Sequence, residues 1–439
     1  MPKSIKQRFP DSSGSRVAEL AAGAYKDSRN TFSGYCSCGN INNRIFVARM
    51  LYKTNHHMKN ILTLLLALTF LTAKAQVQNI VVNRTDGSSI SYDMGNVESI
   101  TFRQIPKWGN RSVEARNLLA YLEENVGKKI LTGTHACVNY NTNEADWVYL
   151  HTGKYPAINT IDFIHDIYSS SGGWINYSST TLWRSWTSKG GIMSAMWHWN
   201  MPANNGSDYT CTPGSEDGQT SFRPSAIFEP TSEDYKTMIS RIDKVAAWLK
   251  PLQRSGIPVL WRPLHEAQGN WTEANPGTGW HKAWFWWGID GPAAFVELWR
   301  VMYDRMVNHH GLTNLIWVFN AGDSKKWYPG DEFVDVVAYD FYNQDLGSMR
   351  KWYNRFQQDY PGKLYAISEF GNIPKVSEFW ADGQYWNFLI PWYDYDRTSQ
   401  PGSDAFNSTD HNNANIEYWN DALGLECVVT RDELPSFKE

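Results

Sequence analysis

The chain reads PVLWRPLHE from Pro258 to Glu266, a short apolar run that ends in charged and polar residues. Similar apolar runs recur along the chain, and stretches with helical periodicity separate many of them. Apolar runs that alternate with helices are typical of parallel βα units, whose strands are buried on both faces. The predicted strands are Lys129–Thr134, Pro156–Ile161, Gly191–Trp197, Pro258–Leu264, Asn314–Asn320, Val334–Asp340, Lys363–Ser368 and Trp386–Trp392.

These strands predict an α/β fold, a (β/α)8 TIM barrel that occupies residues 107–430. The helices predicted between or before them include Val113–Asn125, Ser232–Lys250, Ala293–His309 and Ser348–Tyr360. A doubly wound open sheet is the alternative architecture. It is disfavoured because no glycine-rich phosphate loop opens the first βα unit.

The sequence before the barrel contains a processing signal. Met58-Lys59-Asn60 precedes an apolar run that is too short to span a bilayer, and Ala73-Lys74-Ala75 ends it. We therefore expect a signal peptide at residues 58–75, which implies an exported protein, periplasmic or secreted, with no membrane anchor in its mature form. Residues 1–57 are then an upstream extension that is not part of the mature protein.

Residues 76–106 are predicted to form a short β leader. Two β-rich runs, Ile80–Arg84 and Ser89–Tyr92, flank Asp86-Gly87, a turn pair that commonly closes β-hairpins. The segment is too short to bury a core of its own.

Composition restricts the class of ligand. Residues 1–75 hold 11 Lys and Arg against 3 Asp and Glu, so the rest of the chain is more acidic than the overall net charge of −4. An acidic protein disfavours nucleic acid and anionic membranes and suits a neutral ligand. The 22 Trp residues suit the faces of sugar rings, although a Trp-rich core would have the same composition.

The cysteines after the predicted signal peptide are Cys137, Cys211 and Cys427, which allow one disulfide. Their spacing matches no zinc pattern, so we predict no metal site.

Polar or aromatic side chains follow most of the predicted strands. Because catalytic residues of TIM barrels lie at the carboxyl ends of the strands, we expect these side chains to gather on one face. They are His135, Asp162, His198, His265, Glu266, Asp340, Tyr342, Glu369 and Trp392.

Two of these residues are glutamates, Glu266 and Glu369, which follow the fourth and seventh strands. Retaining glycosidases need two carboxyl groups about 5–5.5 Å apart, one as proton donor and one as nucleophile. The barrel could supply that arrangement. A salt bridge at the barrel rim would equally explain either glutamate alone.

Several motifs together carry a resemblance to a known family. Arg262-Pro263-Leu264-His265-Glu266, followed by Trp284-Phe285-Trp286-Trp287-Gly288, resembles glycoside hydrolase family 26, most of whose members are β-mannanases. Ile367-Ser368-Glu369-Phe370-Gly371 resembles the nucleophile strand of that family. Trp197-His198-Trp199-Asn200 and Asp340-Phe341-Tyr342 resemble its third and sixth strands, and the resemblance spans Lys107 to Trp419.

The resemblance implies a retaining, endo-acting hydrolase of β-1,4-mannosidic bonds in mannan, galactomannan or glucomannan. Glu266 would be the general acid/base and Glu369 the nucleophile, with no cofactor. The substrate-binding residues would be His198, His265, Trp284, Tyr342, Trp392, Asp340 and Asp162. Trp286 and Trp287 are predicted to be packing residues.

Strand parity adds an expectation for Arg262. Because Arg262, Leu264 and Glu266 alternate along the fourth strand, all three are expected to point into the barrel. There the positive charge of Arg262 would either keep the nucleophile ionised or form a structural ion pair.

The chain departs from the family in one place, because Ala267 to Ala283 separate Glu266 from Trp284, where the gap is usually short. The extra residues and a long loop from Met201 to Pro224 could close one end of the cleft. The alternatives for function are a β-1,3/1,4-glucanase or β-1,3-xylanase of the same family, or a non-catalytic glycan-binding barrel.

Overall fold

The computed structural model describes residues 79–83, 89–93, 109–137, 140–168, 175–272 and 283–438. The chain divides into two units, residues 1–104 and residues 105–439. The predicted upstream extension and signal peptide, residues 1–57 and 58–75, lie outside the described residues. No helix among those described combines the length and the hydropathy needed to cross a bilayer.

The first unit contains the predicted hairpin. Strands Asn79–Asn83 and Ser89–Asp93 pair antiparallel, with Val81 opposite Ser91. The turn residues between them, 84–88, are outside the described part of the chain.

The second unit is a closed parallel barrel. Its strands are β1 (Ile130–His135), β2 (Ile158–Asp162), β3 (Ile192–Trp197), β4 (Val259–Pro263), β5 (Leu315–Asn320), β6 (Val336–Tyr342), β7 (Leu364–Gly371) and β8 (Phe388–Pro391). Each strand pairs with the next, and Phe388 of β8 pairs with Leu131 of β1, which closes the barrel. The TIM-barrel prediction is confirmed, and closure excludes the open-sheet alternative.

Helices surround the strands. They are α1 (Val113–Glu124), α2 (Asn143–Thr152), α3 (Thr181–Thr187), α4 (Glu233–Arg254), α5 (Pro292–Tyr303), α6 (Leu346–Asp359), α7 (Val376–Ala381), α8 (Tyr395–Thr398) and α9 (Ile416–Gly424). Short strands Met201–Pro202 and Tyr209–Thr210 pair in the loop after β3, and Val428–Val429 pairs with β1.

Helix α1 joins the interior core of the barrel. The Ser112 hydroxyl caps it by accepting a hydrogen bond from the backbone N–H of Ala115 at 3.3 Å. Its buried residues recur with helical spacing and pack in one cluster with alternate residues of the strands, among them Leu131, Leu260 and Ile316. The apolar faces of α1 and the strands therefore share one core, and the polar ends of the strands are left for the site.

A second core lies outside the strands and explains the tryptophan content. The largest fully buried side chains of the described residues are Trp147, Trp183, Trp197, Trp199, Trp261, Trp286, Trp287, Trp299, Trp317, Trp327, Trp386 and Trp419. They belong to the cluster between the strands and the surrounding helices. Core packing, rather than sugar binding, therefore accounts for much of the aromatic composition.

Two helix predictions needed correction. Helix α4 continues past Pro251 to Arg254, because the side chains of Lys250 and Gln253 donate hydrogen bonds to the carbonyl of Gly311 and hold its last turn. The segment predicted as one helix to His309 ends its α-helical part at Tyr303 and continues as a π-helix, Asp304–His309.

The cysteines of the described residues are unpaired. Cys137 is buried, Cys211 and Cys427 are half-buried, and all three are free thiols. Burial raises the pKa of Cys137 to about 11, so its thiol stays protonated and unreactive at neutral pH.

Candidate functional site

Each barrel strand delivers a polar or aromatic side chain to the same end of the barrel. In strand order these residues are His135, Asp162, His198, Glu266, Asn320, Asp340, Glu369 and Trp392. Two concavities open between them. One is lined by His135, Asp162, His198 and Trp392, and the other by Glu266, Asn320, Asp340 and Trp284.

The two glutamates meet at the centre of this face. Carboxylate oxygens of Glu266, Asp340 and Glu369 lie within 4.8 Å of one another. That spacing fits the short separation of a retaining glycosidase, about 5–5.5 Å, rather than the 6.5–9.5 Å of an inverting one.

Arg262 supplies the positive charge in this acidic cluster. Its guanidinium donates to Glu369 Oε2 at 3.2 Å and to Asp340 Oδ2, and its side chain is only 3% exposed. Burial disfavours the guanidinium charge, but Asp340 and Glu369 outweigh it and raise the pKa of Arg262. Since this cation already bonds two of the three carboxylates, the cluster is built as an ion-pair network rather than as a metal site.

The direction of Arg262 confirms the parity argument, but the same argument fails for Leu264. Leu264 packs in the outer cluster, because it adopts a left-handed backbone conformation with φ of 52°. Glu266 is also left-handed, with φ of 49°. The chain therefore leaves the strand after Pro263, and alternation no longer applies.

Glu266 and Glu369 have different surroundings. Burial, followed by the negative charges of Asp340 and Glu369, raises the pKa of Glu266 well above its usual value. Glu369 instead accepts hydrogen bonds from Arg262 and from the Tyr342 hydroxyl, the latter at 2.6 Å. Glu266 is thus favoured as the protonated acid, and two hydrogen-bond donors fix the orientation of the Glu369 carboxyl group.

A bulge in β7 places Glu369. Tyr339 of β6 pairs with Ile367, but the next residue, Asp340, pairs with Glu369, so Ser368 is the extra residue. Both Ser368 and Glu369 consequently face the site. The Ser368 hydroxyl donates to Asp340 Oδ1 at 2.6 Å.

Asp162, His198 and His265 form a second polar row. His198 Nδ1 lies 2.6 Å from Asp162 Oδ2, and its Nε2 lies 3.1 Å from Nε2 of His265. Burial works against protonation of His198, yet the Asp162 carboxylate outweighs it and raises the pKa of His198. Burial and the neighbouring His198 and Arg262 lower the pKa of His265. The row therefore favours a charged His198 between a carboxylate and a neutral imidazole.

His265 differs from the sequence prediction. It was expected on the substrate side, but it is only 1% exposed, and its backbone carbonyl accepts a hydrogen bond from the Trp287 indole at 2.9 Å. Left-handed residues lie on either side of it, and its ring centroid is 4.4 Å from that of His198. Of the pair, His198 is the one that lines a concavity.

The tryptophans divide into two groups. Trp392 lines the first concavity, with its ring centroid 5.0 Å from that of His135. Trp284 is 42% exposed and lines the second concavity with Glu266. Trp286 and Trp287 are fully buried, so their prediction as packing residues is confirmed.

Part of the long loop after Glu266 is anchored. The Trp271 ring lies against Gly291 and Trp327, and a Cβ at Gly288 would stand only 1.7 Å from the carbonyl oxygen of Ala267. The predicted loop's remaining residues, 273–282, are outside the described part of the chain. Trp284 reaches the concavity of Glu266 despite the long gap.

Sequence reasoning missed Asn320. Its Oδ1 accepts the backbone N–H of Glu266 at 2.7 Å, and its Nδ2 donates to Ser368 Oγ at 3.2 Å. The available signal was its place as the last residue of the predicted fifth strand, the strand for which no polar end residue was noted.

The comparisons with known proteins agree with this geometry. Residues 109–405 match the profile described as Glycosyl hydrolase family 26. A mannan endo-1,4-beta-mannosidase from Thermothelomyces thermophilus is 35% identical over 331 residues, which cover 74% of this chain and 61% of that protein. Mannan endo-1,4-beta-mannosidase A from Piromyces sp is 33% identical, and the match covers 74% of this chain and 49% of that protein.

Solved structures resemble the barrel unit. The GH26 domain of an endo-beta-mannanase/endo-beta-glucanase from Prevotella bryantii is 34% identical with a TM-score of 0.64, covering 74% of this chain and 97% of that chain. A beta-mannanase from a symbiotic protist of the termite Reticulitermes speratus, complexed with gluco-manno-oligosaccharide, is 29% identical with a TM-score of 0.59, covering 76% and 97%. This chain spans 49% to 61% of the length of the two curated relatives. The chain belongs to glycosyl hydrolase family 26.

Proposed function

We propose that this protein is a retaining endo-acting glycoside hydrolase that cleaves β-1,4-mannosidic bonds in mannan, galactomannan or glucomannan. The observation that best supports this proposal is the close pair Glu266 and Glu369, whose carboxylate oxygens lie within 4.8 Å of each other. The surroundings of Glu266 favour its protonated form, and the Tyr342 hydroxyl donates a hydrogen bond to Glu369. The names of the relatives support the substrate class, since those proteins are called mannan endo-1,4-beta-mannosidases.

The reaction proceeds by two displacements. Glu369 attacks the anomeric carbon and forms an ester bond, while Glu266 gives its proton to the glycosidic oxygen as the bond to the leaving sugar breaks. A water molecule then loses a proton to Glu266, its oxygen bonds to the anomeric carbon, and Glu369 leaves as a carboxylate. Glu266 is restored as an acid and the anomeric configuration is retained.

Surrounding residues hold the two glutamates and the sugar. Arg262 and Tyr342 donate hydrogen bonds to the Glu369 carboxylate and orient it for attack. Trp392 and Trp284, one in each concavity, offer ring faces on either side of the scissile bond, and His198 offers hydrogen bonds beside Trp392.

The test is reducing-sugar release from galactomannan, with barley β-glucan as the competing substrate. Wild type is compared with Glu266→Gln, Glu369→Gln and the exposed control Glu332→Gln. We expect hydrolysis of galactomannan by wild type and the control, and at least a thousandfold loss in the other two variants. Activity confined to β-glucan would overturn the substrate assignment, and binding without hydrolysis would overturn catalysis.

Stereochemistry gives an independent check. Proton NMR of the first product from a manno-oligosaccharide should show the β-anomer before mutarotation. An initial α-anomer would contradict the double displacement.

We further propose that the protein is exported, from the signal-peptide pattern of residues 58–75. N-terminal sequencing of protein recovered outside the cytoplasm should then begin at Gln76.

A further inference from the structure

Glu266 holds an unfavourable backbone conformation. Its φ of 49°, two residues after Leu264 at 52°, lies in the left-handed region that non-glycine residues rarely adopt. Such a conformation persists only where neighbouring groups hold it. The question is which groups hold the backbone at this glutamate.

Two hydrogen bonds flank the strained residue. The Trp287 indole donates to the carbonyl of His265 on one side, at 2.9 Å. On the other side the backbone N–H of Glu266 donates to Asn320 Oδ1 at 2.7 Å, in a side chain that is 6% exposed. Of these two bonds, only the one to Asn320 is made by Glu266 itself, whose carbonyl also accepts the backbone N–H of the nearby Gly269 at 3.1 Å.

The orientation of Asn320 is fixed from its other end. Its Nδ2 donates to Ser368 Oγ at 3.2 Å, and the Ser368 hydroxyl donates its single proton to Asp340 Oδ1 at 2.6 Å. The Asp340 carboxylate is in turn bonded to Arg262, which also bonds Glu369. A directed chain of hydrogen bonds therefore runs from the backbone of one catalytic glutamate to the side chain that holds the other.

We infer that Asn320 is a positioning residue, which with Ser368 holds Glu266 at a fixed place relative to Glu369. This inference rests on the proposed function, in which Glu266 donates the proton to the leaving group. Asn320 acts on the reaction through the backbone of Glu266, so its removal harms the step that depends on where that carboxyl group lies. The β7 bulge is what brings Ser368 within reach of Asn320.

The dependence of kcat/KM on the leaving group distinguishes a residue that positions Glu266 from one that only stabilises the fold. The value of kcat/KM reports formation of the glycosyl enzyme, which needs protonation when the leaving group is a sugar alcohol. A dinitrophenolate leaves without a proton. Displacing Glu266 therefore slows cleavage of mannotetraose and spares 2,4-dinitrophenyl β-mannobioside, whereas damage to the barrel slows both.

The experiment measures kcat/KM on both substrates for wild type, Asn320→Ala and Ser368→Ala. Asn314→Ala is the matched control, since Asn314 is a buried asparagine immediately before the same strand and donates to the carbonyl of Ile257 at 2.8 Å. For Asn320→Ala we expect kcat/KM on mannotetraose to fall about tenfold or more, with an upper bound set by the ~10²–10⁴-fold that a general acid contributes. On the aryl glycoside kcat/KM should fall less than about twofold. Ser368→Ala should show the same selectivity with a smaller loss.

Equal losses on the two substrates in Asn320→Ala, or no loss on mannotetraose, would overturn the inference. The control should change both values by the same factor. Ser368→Ala keeps the test decisive if Asn320→Ala does not fold, because equal losses there would also overturn it. If wild type cleaves only β-glucan, the proposed substrate fails separately, and the same comparison is made with cellotetraose and 2,4-dinitrophenyl β-cellobioside.

Discussion

Asp340 lies beside both the cation Arg262 and the proposed acid Glu266. It bonds the guanidinium directly, and its negative charge is a cause of the raised pKa of Glu266, second only to burial. An ion pair deep in the barrel and an electrostatic influence on the catalytic acid are therefore two effects of the same carboxylate.

Asp340→Asn should shift the pH profile. Removing a negative charge beside Glu266 makes its ionisation easier, so the pKa of Glu266 falls and the protonated acid is lost at a lower pH. We expect the alkaline limb of kcat/KM, which reports this acid in the free enzyme, to move to lower pH. Asp335→Asn is the control, because Asp335 pairs with Arg111 away from the site, and the limb should stay in place. An alkaline limb that moves to higher pH in Asp340→Asn would contradict the prediction.

Tyr342→Phe should reduce catalysis with little effect on stability. The Tyr342 hydroxyl makes a hydrogen bond of 2.6 Å to the Glu369 carboxylate, and bonds to charged groups contribute about 1.5–3 kcal/mol. We therefore expect kcat/KM to fall about 10- to 100-fold. Because the side chain is 36% exposed, the melting temperature should stay near that of wild type. A change in activity below twofold would mean that the hydroxyl does not support the nucleophile.

Two loop segments make close contact beside the left-handed residue Glu266. Gly288 is buried, and a Cβ there would lie 1.7 Å from the carbonyl oxygen of Ala267, the residue that follows Glu266. The segments after β4 and before α5 thus meet with no room for a methyl group.

Gly288→Ala should lower both stability and activity. Overpacking costs about 1–3 kcal/mol, and backbone at Ala267 is the group that must shift. We expect a lower melting temperature and a reduced kcat on galactomannan. Gly218→Ala is the control, because no atom lies within 4 Å of its added Cβ. If Gly288→Ala matches wild type in melting temperature and kcat, the contact between Gly288 and Ala267 does not constrain the loop.

The strands were predictable from sequence to within two residues at most ends. Parallel strands are buried on both faces, so a strand can appear as a continuous apolar run, as in Leu315–Asn320, which is apolar up to Phe319. The ends of α4 and α5 were less predictable, since side chains from elsewhere in the chain hold the last turn of α4. The local sequence pattern of a helix does not indicate such distant hydrogen-bond partners.

The site was predictable where regular strand geometry continues and unpredictable where it stops. Parity placed Arg262 correctly because β4 is regular up to Pro263. It failed at Leu264, because Leu264 and Glu266 adopt left-handed backbone conformations and the regular alternation ends there. Ser368 was hidden by a bulge that depends on pairing with β6, and no single strand reveals it.

The whole barrel combines an apolar interior with a buried polar layer at one end. His135 belongs to this layer. It is 3% exposed, and its Nδ1 lies 2.9 Å from the carbonyl oxygen of Pro391, so Nδ1 is the donor. Burial lowers the pKa of His135 to about 4, and burial also lowers that of His265.

This layer should make the folded barrel sensitive to acid. Between the unfolded pKa of about 6.5 and the folded pKa of about 4, only the unfolded chain protonates His135, so stability falls as the pH drops through this window. At about 1.4 kcal/mol per unit, His135 accounts for about 3 kcal/mol, and His265 acts with the same sign. His198 acts with the opposite sign: its pKa is raised, so its contribution is present in full below about 6.5 and is lost as the pH rises through the folded value.

His135→Asn isolates this effect, because its amide can still donate to the carbonyl of Pro391 but does not titrate. We expect its melting temperature to fall less than that of wild type between pH 7 and pH 4, measured by circular dichroism. His309→Asn is the control, since His309 is exposed, and it should follow the wild-type pH dependence. Parallel pH dependences for wild type and His135→Asn would show that the acid sensitivity comes from other groups. A smaller fall in His135→Asn alone would show that keeping this ring neutral at the mouth of the barrel costs stability in acid.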